Sequence, residues 1–251
     1  MKKNELKNKN ILVTGATSGI GKGVCLDLLS QGARVIGIGR DKKKVDDLAS
    51  SFDKEKFLFI SYDLNNVDGI EELVKNNLPN QEKLDGLVLC AGKEETVPLS
   101  MYKEDKIKSI FNINLFSGIE LLRIFSKKKF SNDNSSVVFF SSVMGELGQP
   151  GKVGYCATKS AVLGVVKSAS LELAKRKIRV NAVSPGIVAT PMTKKLFSQL
   201  SEENVSEIEE MHPLGIGQIE DVTPVVLFLL SNVSKWITGQ NIKIDGGYSV
   251  Q

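Results

Sequence analysis

A doubly wound parallel α/β sheet of about seven strands, with helices on both faces, is the fold class this sequence predicts. Three observations carry it. Short apolar runs alternate with helically spaced apolar positions along the chain, with no repeat and no linker. A glycine-rich stretch, Thr14-Gly15-Ala16-Thr17-Ser18-Gly19-Ile20-Gly21, stands between the first strand pattern and the first helix pattern. Small or turn-forming residues follow the strand patterns again at Cys90-Ala91-Gly92 and Ser184-Pro185-Gly186. In an open parallel sheet that edge is where ligands collect.

Composition bounds the rest. With 251 residues, 41% of them hydrophobic, the chain can bury one large core, so residues 1–251 read as one domain. The 33 basic and 29 acidic residues leave +4 without a long basic block, which argues against nucleic acid as a partner. No apolar run approaches the ~18 residues a membrane span needs, and no signal peptide is visible. Cys25, Cys90 and Cys156 lie far apart without metal-ligand spacing, so no metal site is expected. They read as reduced thiols of a cytoplasmic protein.

In chain order, 1–10 is a polar tail. Ile11–Val13 is a buried strand, and Val24, Cys25, Leu28 and Leu29 mark the helix after the glycine turn. Such a turn lets a backbone approach a pyrophosphate at a helix N-terminus. Ala33–Ile38 is the second strand. Gly39 occupies the place where dinucleotide folds commonly carry a ribose-binding acid, and Arg40 follows it. With Lys42, Lys43 and Lys44, Arg40 favours a 2′-phosphate and hence NADP(H) over NAD(H). The same residues also suit a solvated helix start. A short helix is expected over Val45–Ser51 and a third strand over Phe57–Ser61. Asp63 then suits either an adenine amino group or a helix cap near Val67.

Leu84–Leu89 is the fourth strand. Residues Met101–Lys129 carry a long helical pattern with Asn112 and Asn114 in its middle, where asparagine is a poor fit without a partner. Ser131–Ser136 reads as a loop and Val137–Ser141 as the fifth strand, with Ser142 at its end. A helix through Tyr155–Ala174, a strand at Ile178–Val183, a helix at Asp221–Leu230 and a last strand at Ile242–Ile244 complete the pattern. Tyr155 and Lys159 are four apart, so one helix face carries both. An ammonium near a phenol lowers the phenol's pKa from ~10.

Taken together, Thr14-Gly15-x-x-x-Gly19-x-Gly21, Ala91-Gly92, Asn114, Ser142, Tyr155-x-x-x-Lys159, Pro185-Gly186 and Thr190 resemble the short-chain dehydrogenase/reductase family from Ile11 to Gly247. Within it the chain looks most like bacterial 3-oxoacyl-carrier-protein reductases. The resemblance implies a Rossmann-type fold and a catalytic set of Asn114, Ser142, Tyr155 and Lys159. Tyr155 would donate the proton to a carbonyl, Ser142 would bond that carbonyl, and Lys159 would lower the phenol's pKa and hold the nicotinamide ribose. Asn114 would hold a water of the proton relay.

The implied cofactor-binding set is Gly15, Thr17, Ser18, Gly19, Ile20, Gly21, Arg40, Asp63, Leu64, Ala91, Gly92, Asn114, Tyr155, Lys159, Pro185, Gly186, Ile187 and Thr190. Residues 190–212 would cover a carbonyl or alcohol substrate. An acyl carrier protein is a candidate partner, with Lys127–Lys129 as a candidate docking patch, and a homotetramer or homodimer is expected. Cys90 departs from the family's usual asparagine. His212 reads as a turn residue at the pocket rim and Trp236 as packing or subunit contact. A sugar or alcohol dehydrogenase using NAD, and a non-catalytic dinucleotide sensor, are the alternatives carried forward.

Overall fold

A computed structural model describes residues 5–41, 55–78, 82–198 and 200–250. The helix expected at Val45–Ser51 and the lysines at 42–44 lie outside them.

Seven parallel strands form one sheet: β1 (Asn10–Thr14), β2 (Arg34–Gly39), β3 (Phe57–Ser61), β4 (Leu84–Leu89), β5 (Ser131–Phe140), β6 (Arg179–Pro185) and β7 (Asn241–Ile244). Their order is β3-β2-β1-β4-β5-β6-β7. The order reverses between β1 and β4, whose ends therefore border a crevice.

Strand side chains alternate between two cores, as a period of two requires. Leu12, Leu87, Val137 and Phe139 face one layer, where α2 (Ile70–Asn77), α4 (Ser117–Phe125) and α5 (Val153–Leu173) pack. Ile11, Val13, Val88 and Val138 face the other, with α1 (Gly19–Ser30) and α8 (Ile219–Leu230). Pro191–Phe197 (α6) and Glu202–Glu210 (α7) lie between β6 and α8 in the chain.

Three elements differ from the sequence reading. Residues 5–10 are held in place: Leu6 is 2% exposed in the core, Asn8 N–H donates to Gly32 O, and Lys9 pairs with Asp85. One apolar side chain inside the polar stretch accounts for it. Residues 131–136 belong to β5, whose register against β4 jumps from Leu84–Ser131 to Gly86–Ser136. The polar residues between bulge out of the ladder, with Asn134 at φ 63°. The long helix is three pieces: α3 (Glu104–Phe111), a π turn (Asn112–Phe116) and α4. The break falls at the two asparagines, and π turns of this kind recur at functional sites.

Candidate active site

The glycine turn closes over the crevice. Thr14 Oγ1 accepts the N–H of Ala91 at 3.0 Å, which ties the end of β1 to the segment after β4. Gly15 adopts φ +72°, a region closed to most side chains. A Cβ at Gly21 would stand 2.3 Å from Gly15 O, so the turn folds flat onto the start of α1 only because residue 21 has no side chain. Ser18 is the N-cap of α1 but makes no side-chain cap bond. The first-turn N–H groups of α1 thus stay available to an anion. This cradle, which a Cβ would fill, fits a dinucleotide's pyrophosphate.

β5 delivers Ser142. The 3₁₀ turn Val143–Gly145 that follows is strapped to α5 by Ser141 Oγ to Lys159 O (2.8 Å) and Ser160 Oγ to Gly145 O (2.6 Å). Ser142 thereby stands with Tyr155 in the cavity wall, its Oγ accepting the N–H of Met144 at 3.2 Å. Burial pushes the Tyr155 phenol up, and the Ser142 hydroxyl pulls it part of the way back.

Lys159 is buried, its Nζ 5.7 Å from the Tyr155 ring centroid and donating to Phe140 O at 2.8 Å. Burial lowers its own pKa to about 8. Burial is the largest influence on the phenol, and the net shift is upward rather than the lowering expected from the lysine. A charge held against a backbone carbonyl stabilises the phenolate less than one in contact with it would.

Asn114 is buried in the π turn, and its carboxamide is fully engaged. Oδ1 accepts from Lys93 N (2.8 Å), while Nδ2 donates to Lys93 O (2.9 Å) and Thr158 Oγ1 (3.2 Å). The asparagine thus pins the segment after Gly92 to α5. Thr158 and Thr14 both position the site, yet neither carries a sequence signal of that role, because each partner is 44 or more residues away. Cys90, in place of the family's asparagine, is a thiol that burial pushes up to about 12.

The far wall follows β6. Gly186 N–H donates to Ile244 O (3.0 Å), and Thr190 caps α6 by accepting from Thr193 N (3.3 Å). Ile187 has both backbone groups engaged, its N–H toward His212 Nε2 at 3.4 Å and its carbonyl with Gly217 N at 3.0 Å. His212 is buried rather than at a rim: Nδ1 bonds Ile208 O at 2.7 Å and the ring stacks on Tyr248.

A cavity of about 280 Å³ gathers Gly15, Ser18, Gly19, Ile20, Gly21, Ala91, Gly92, Ser142, Tyr155, Lys159, Pro185, Gly186, Ile187 and Thr190. Asn114 lies just behind it, its Oδ1 3.4 Å from where a Cβ on Gly92 would stand. Thr17, Arg40, Asp63 and Leu64 are outside this cavity, near the ends of β1, β2 and β3 on the same edge. Arg40 is exposed there. Asp63 accepts from Asn65 N (3.0 Å) in a local turn and does not cap a helix. Leu64 buries its side chain, leaving its backbone as the polar part. Lys93 and Glu94, the polar residues that follow Gly92 in the sequence, also line the cavity, as do Gln149 and Lys152, to which the sequence reading assigns no role. Lys127–Lys129 precede β5 at the opposite edge of the sheet, and Lys127 is paired with Glu71 at 2.9 Å. They stand far from the cavity mouth and form no docking patch beside it.

Comparison with known proteins agrees with this geometry. Residues 15–249 match a family model described as enoyl-(acyl carrier protein) reductase. The chain is 38% identical over 245 residues to the 3-oxoacyl-[acyl-carrier-protein] reductase FabG of Thermotoga maritima, covering 96% of this chain and 98% of that one. It is 32% identical over 243 residues to FabG of Staphylococcus aureus, covering 95% and 97%. Among solved structures, 4-hydroxyisoleucine dehydrogenase complexed with NADH superposes with a TM-score of 0.90 at 28% identity, covering 97% of this chain and 100% of that one. A gluconate 5-dehydrogenase from Beutenbergia cavernae, described as putative and NAD(P) dependent and solved with bound NADP, gives 0.90 at 27%, covering 98% of both chains. With its parallel seven-stranded sheet, its glycine turn and its Ser, Tyr and Lys side chains around one crevice, the chain belongs to the short-chain dehydrogenase/reductase family of oxidoreductases.

Proposed function

We propose that this protein reduces the ketone of a 3-oxoacyl thioester with NADPH. The observation that carries the reading is the convergence of Ser142, Tyr155 and Lys159 on the cavity floored by the glycine turn. Full-length similarity to curated 3-oxoacyl-carrier-protein reductases supports the substrate class. The bound nicotinamide would supply the hydride. The first turn of α1 and the glycine cradle would hold its pyrophosphate.

Ser142 donates a hydrogen bond to the ketone oxygen and Tyr155 delivers the proton to it. Lys159, buried and close to Gly92, binds the ribose beside the reacting ring. Engagement of both polar atoms of Asn114 leaves its backbone as the part that would hold a relay water.

The preference for NADPH rests on β2. Gly39 stands where an acid would hold an unphosphorylated ribose, and a Cβ there would lie 2.5 Å from Thr17 Cγ2, so an acid would require the Thr17 side chain to move. Arg40 stands next, exposed and cationic. Residues 190–212 cover the substrate, and a carrier protein presents it. The three unpaired thiols fit a cytoplasmic protein. Exposed apolar side chains at Met101, Phe116, Leu171 and Trp236 support self-association.

The test is steady-state reduction of an acetoacetyl thioester with NADPH and NADH in parallel. Wild type is expected to turn over with NADPH preferred. Tyr155→Phe is expected to lose at least about 100-fold in kcat while NADPH binding is kept. Undiminished turnover in that variant would reject the proton-donor assignment.

A further inference from the structure

The wall of the cavity holds a charged pair that the reduction chemistry does not use. Lys152 and Glu94 form an ion pair with side-chain exposures of only 7% and 17%. Lys152 is the N-cap residue of α5, three positions before Tyr155, and lines the cavity together with Ser142 and Tyr155. Glu94 is steadied by Thr96 Oγ1 at 3.2 Å. Burying such a pair is costly, and well-packed apolar residues in its place would often be more stable. Among the described residues Glu94 is the only group bonded to the Lys152 ammonium, which has three N–H donors. The other lysine on this wall, Lys93, is committed to Glu95 at 2.5 Å and Ser109 Oγ at 2.9 Å. Lys159, which bonds Phe140 O, also has donors to spare but is the ribose-binding lysine in this reading, so Lys152 is the cavity cation left for the substrate.

A 3-oxoacyl thioester has a second carbonyl two bonds from the ketone, so the two oxygens lie within roughly 3–5 Å of each other. With the ketone oxygen on Ser142 and Tyr155, a donor one helical turn from Tyr155 is suitably placed for the thioester oxygen. We propose that Lys152 is a specificity-determining residue that donates to the thioester carbonyl of a 1,3-dicarbonyl substrate, and that Glu94 is the positioning residue that orients its ammonium. The proposal rests on the reading of the protein as a 3-oxoacyl thioester reductase and adds how the site recognises that class. A plain ketone leaves the buried donors unmatched, and sites with unmatched polar groups reject such analogues.

The experiment compares kcat/KM for acetoacetyl-N-acetylcysteamine and for pentan-2-one, with saturating NADPH, in wild type, K152M, K152R and E94Q. NADPH affinity, read by fluorescence, reports that each variant is folded. K152M is expected to lose about 30- to 100-fold on the thioester. On pentan-2-one it should stay within about 3-fold of wild type, so that the ratio of the two collapses. K152R should recover part of the ratio. Should K152M fail to bind NADPH, E94Q carries the test and must lower the ratio by at least about 5-fold. Equal losses on both substrates, or no loss on the thioester, would overturn the role of Lys152 alone. A wild-type enzyme that reduces pentan-2-one but no 3-oxoacyl thioester would overturn the underlying function and this proposal with it.

Discussion

Lys159 shows how a functional side chain works against its own surroundings. It is 5% exposed, and burial brings its pKa to about 8. In the unfolded chain the same ammonium keeps its proton to roughly pH 10.4. The unfolded state therefore binds more protons between these values, and stability rises with pH across that window. Below about pH 8 the fold bears the full cost of the buried charge. Lys159→Met should make the cofactor-free protein more stable at pH 7, by on the order of 1–3 kcal/mol, and flatten that rise. Urea denaturation at pH 7 and pH 9.5 measures both. A variant less stable than wild type at pH 7 would contradict the account. The side chain at 159 was legible in the sequence from its spacing to Tyr155. Its depressed pKa was not, because desolvation depends on what Phe140, Cys90 and Gly92 place around it.

At the scale of elements, the glycine turn and the π turn illustrate two kinds of legibility. The turn at 14–21 can be read directly, since glycines between a strand and a helix pattern have few other uses. Its tightness is structural: the 2.3 Å approach of a residue-21 Cβ to Gly15 O leaves no room for a methyl. Gly21→Ala should push the turn away from α1, weaken NADPH by at least about 10-fold and lower stability by about 1–3 kcal/mol. Fluorescence titration and thermal melting report the two effects, and unchanged NADPH affinity would show that the cradle is not the binding surface. The π turn was foreshadowed only by asparagines in a helical pattern. Asn114 resolves the conflict by bonding the backbone of Lys93 and the hydroxyl of Thr158, which come from two other elements. Residues 131–136 misled for the converse reason. Their polarity resembles a loop, but β4 pairs with Ser131 and Ser136 at either end and the excess is absorbed as a bulge.

For the whole molecule, the apolar surface left outside both cores is the feature with consequences. Met101 (65%), Leu171 (78%) and Trp236 (96%) are exposed, and Trp236, read as either packing or subunit contact, does not pack within its own chain. Exposed apolar side chains mark a contact surface where they gather into one patch. Sedimentation at micromolar concentration is expected to give a multiple of the 27.4 kDa chain mass, and a stable single-chain mass would overturn the expectation. The alternation of strand and helix patterns was enough to determine a parallel doubly wound sheet, because each pattern encodes which face is buried. The types and spacing of Gly15, Ser142, Tyr155 and Lys159 were enough to nominate a site, because those motifs are local. Tertiary structure alone decided that residues 5–10 are anchored by Leu6, that Lys127–Lys129 stand at the wrong edge of the sheet, and that Lys152 meets Glu94 beside Tyr155. Each of these depends on groups far apart in sequence, and no local pattern specifies how closely two distant segments approach.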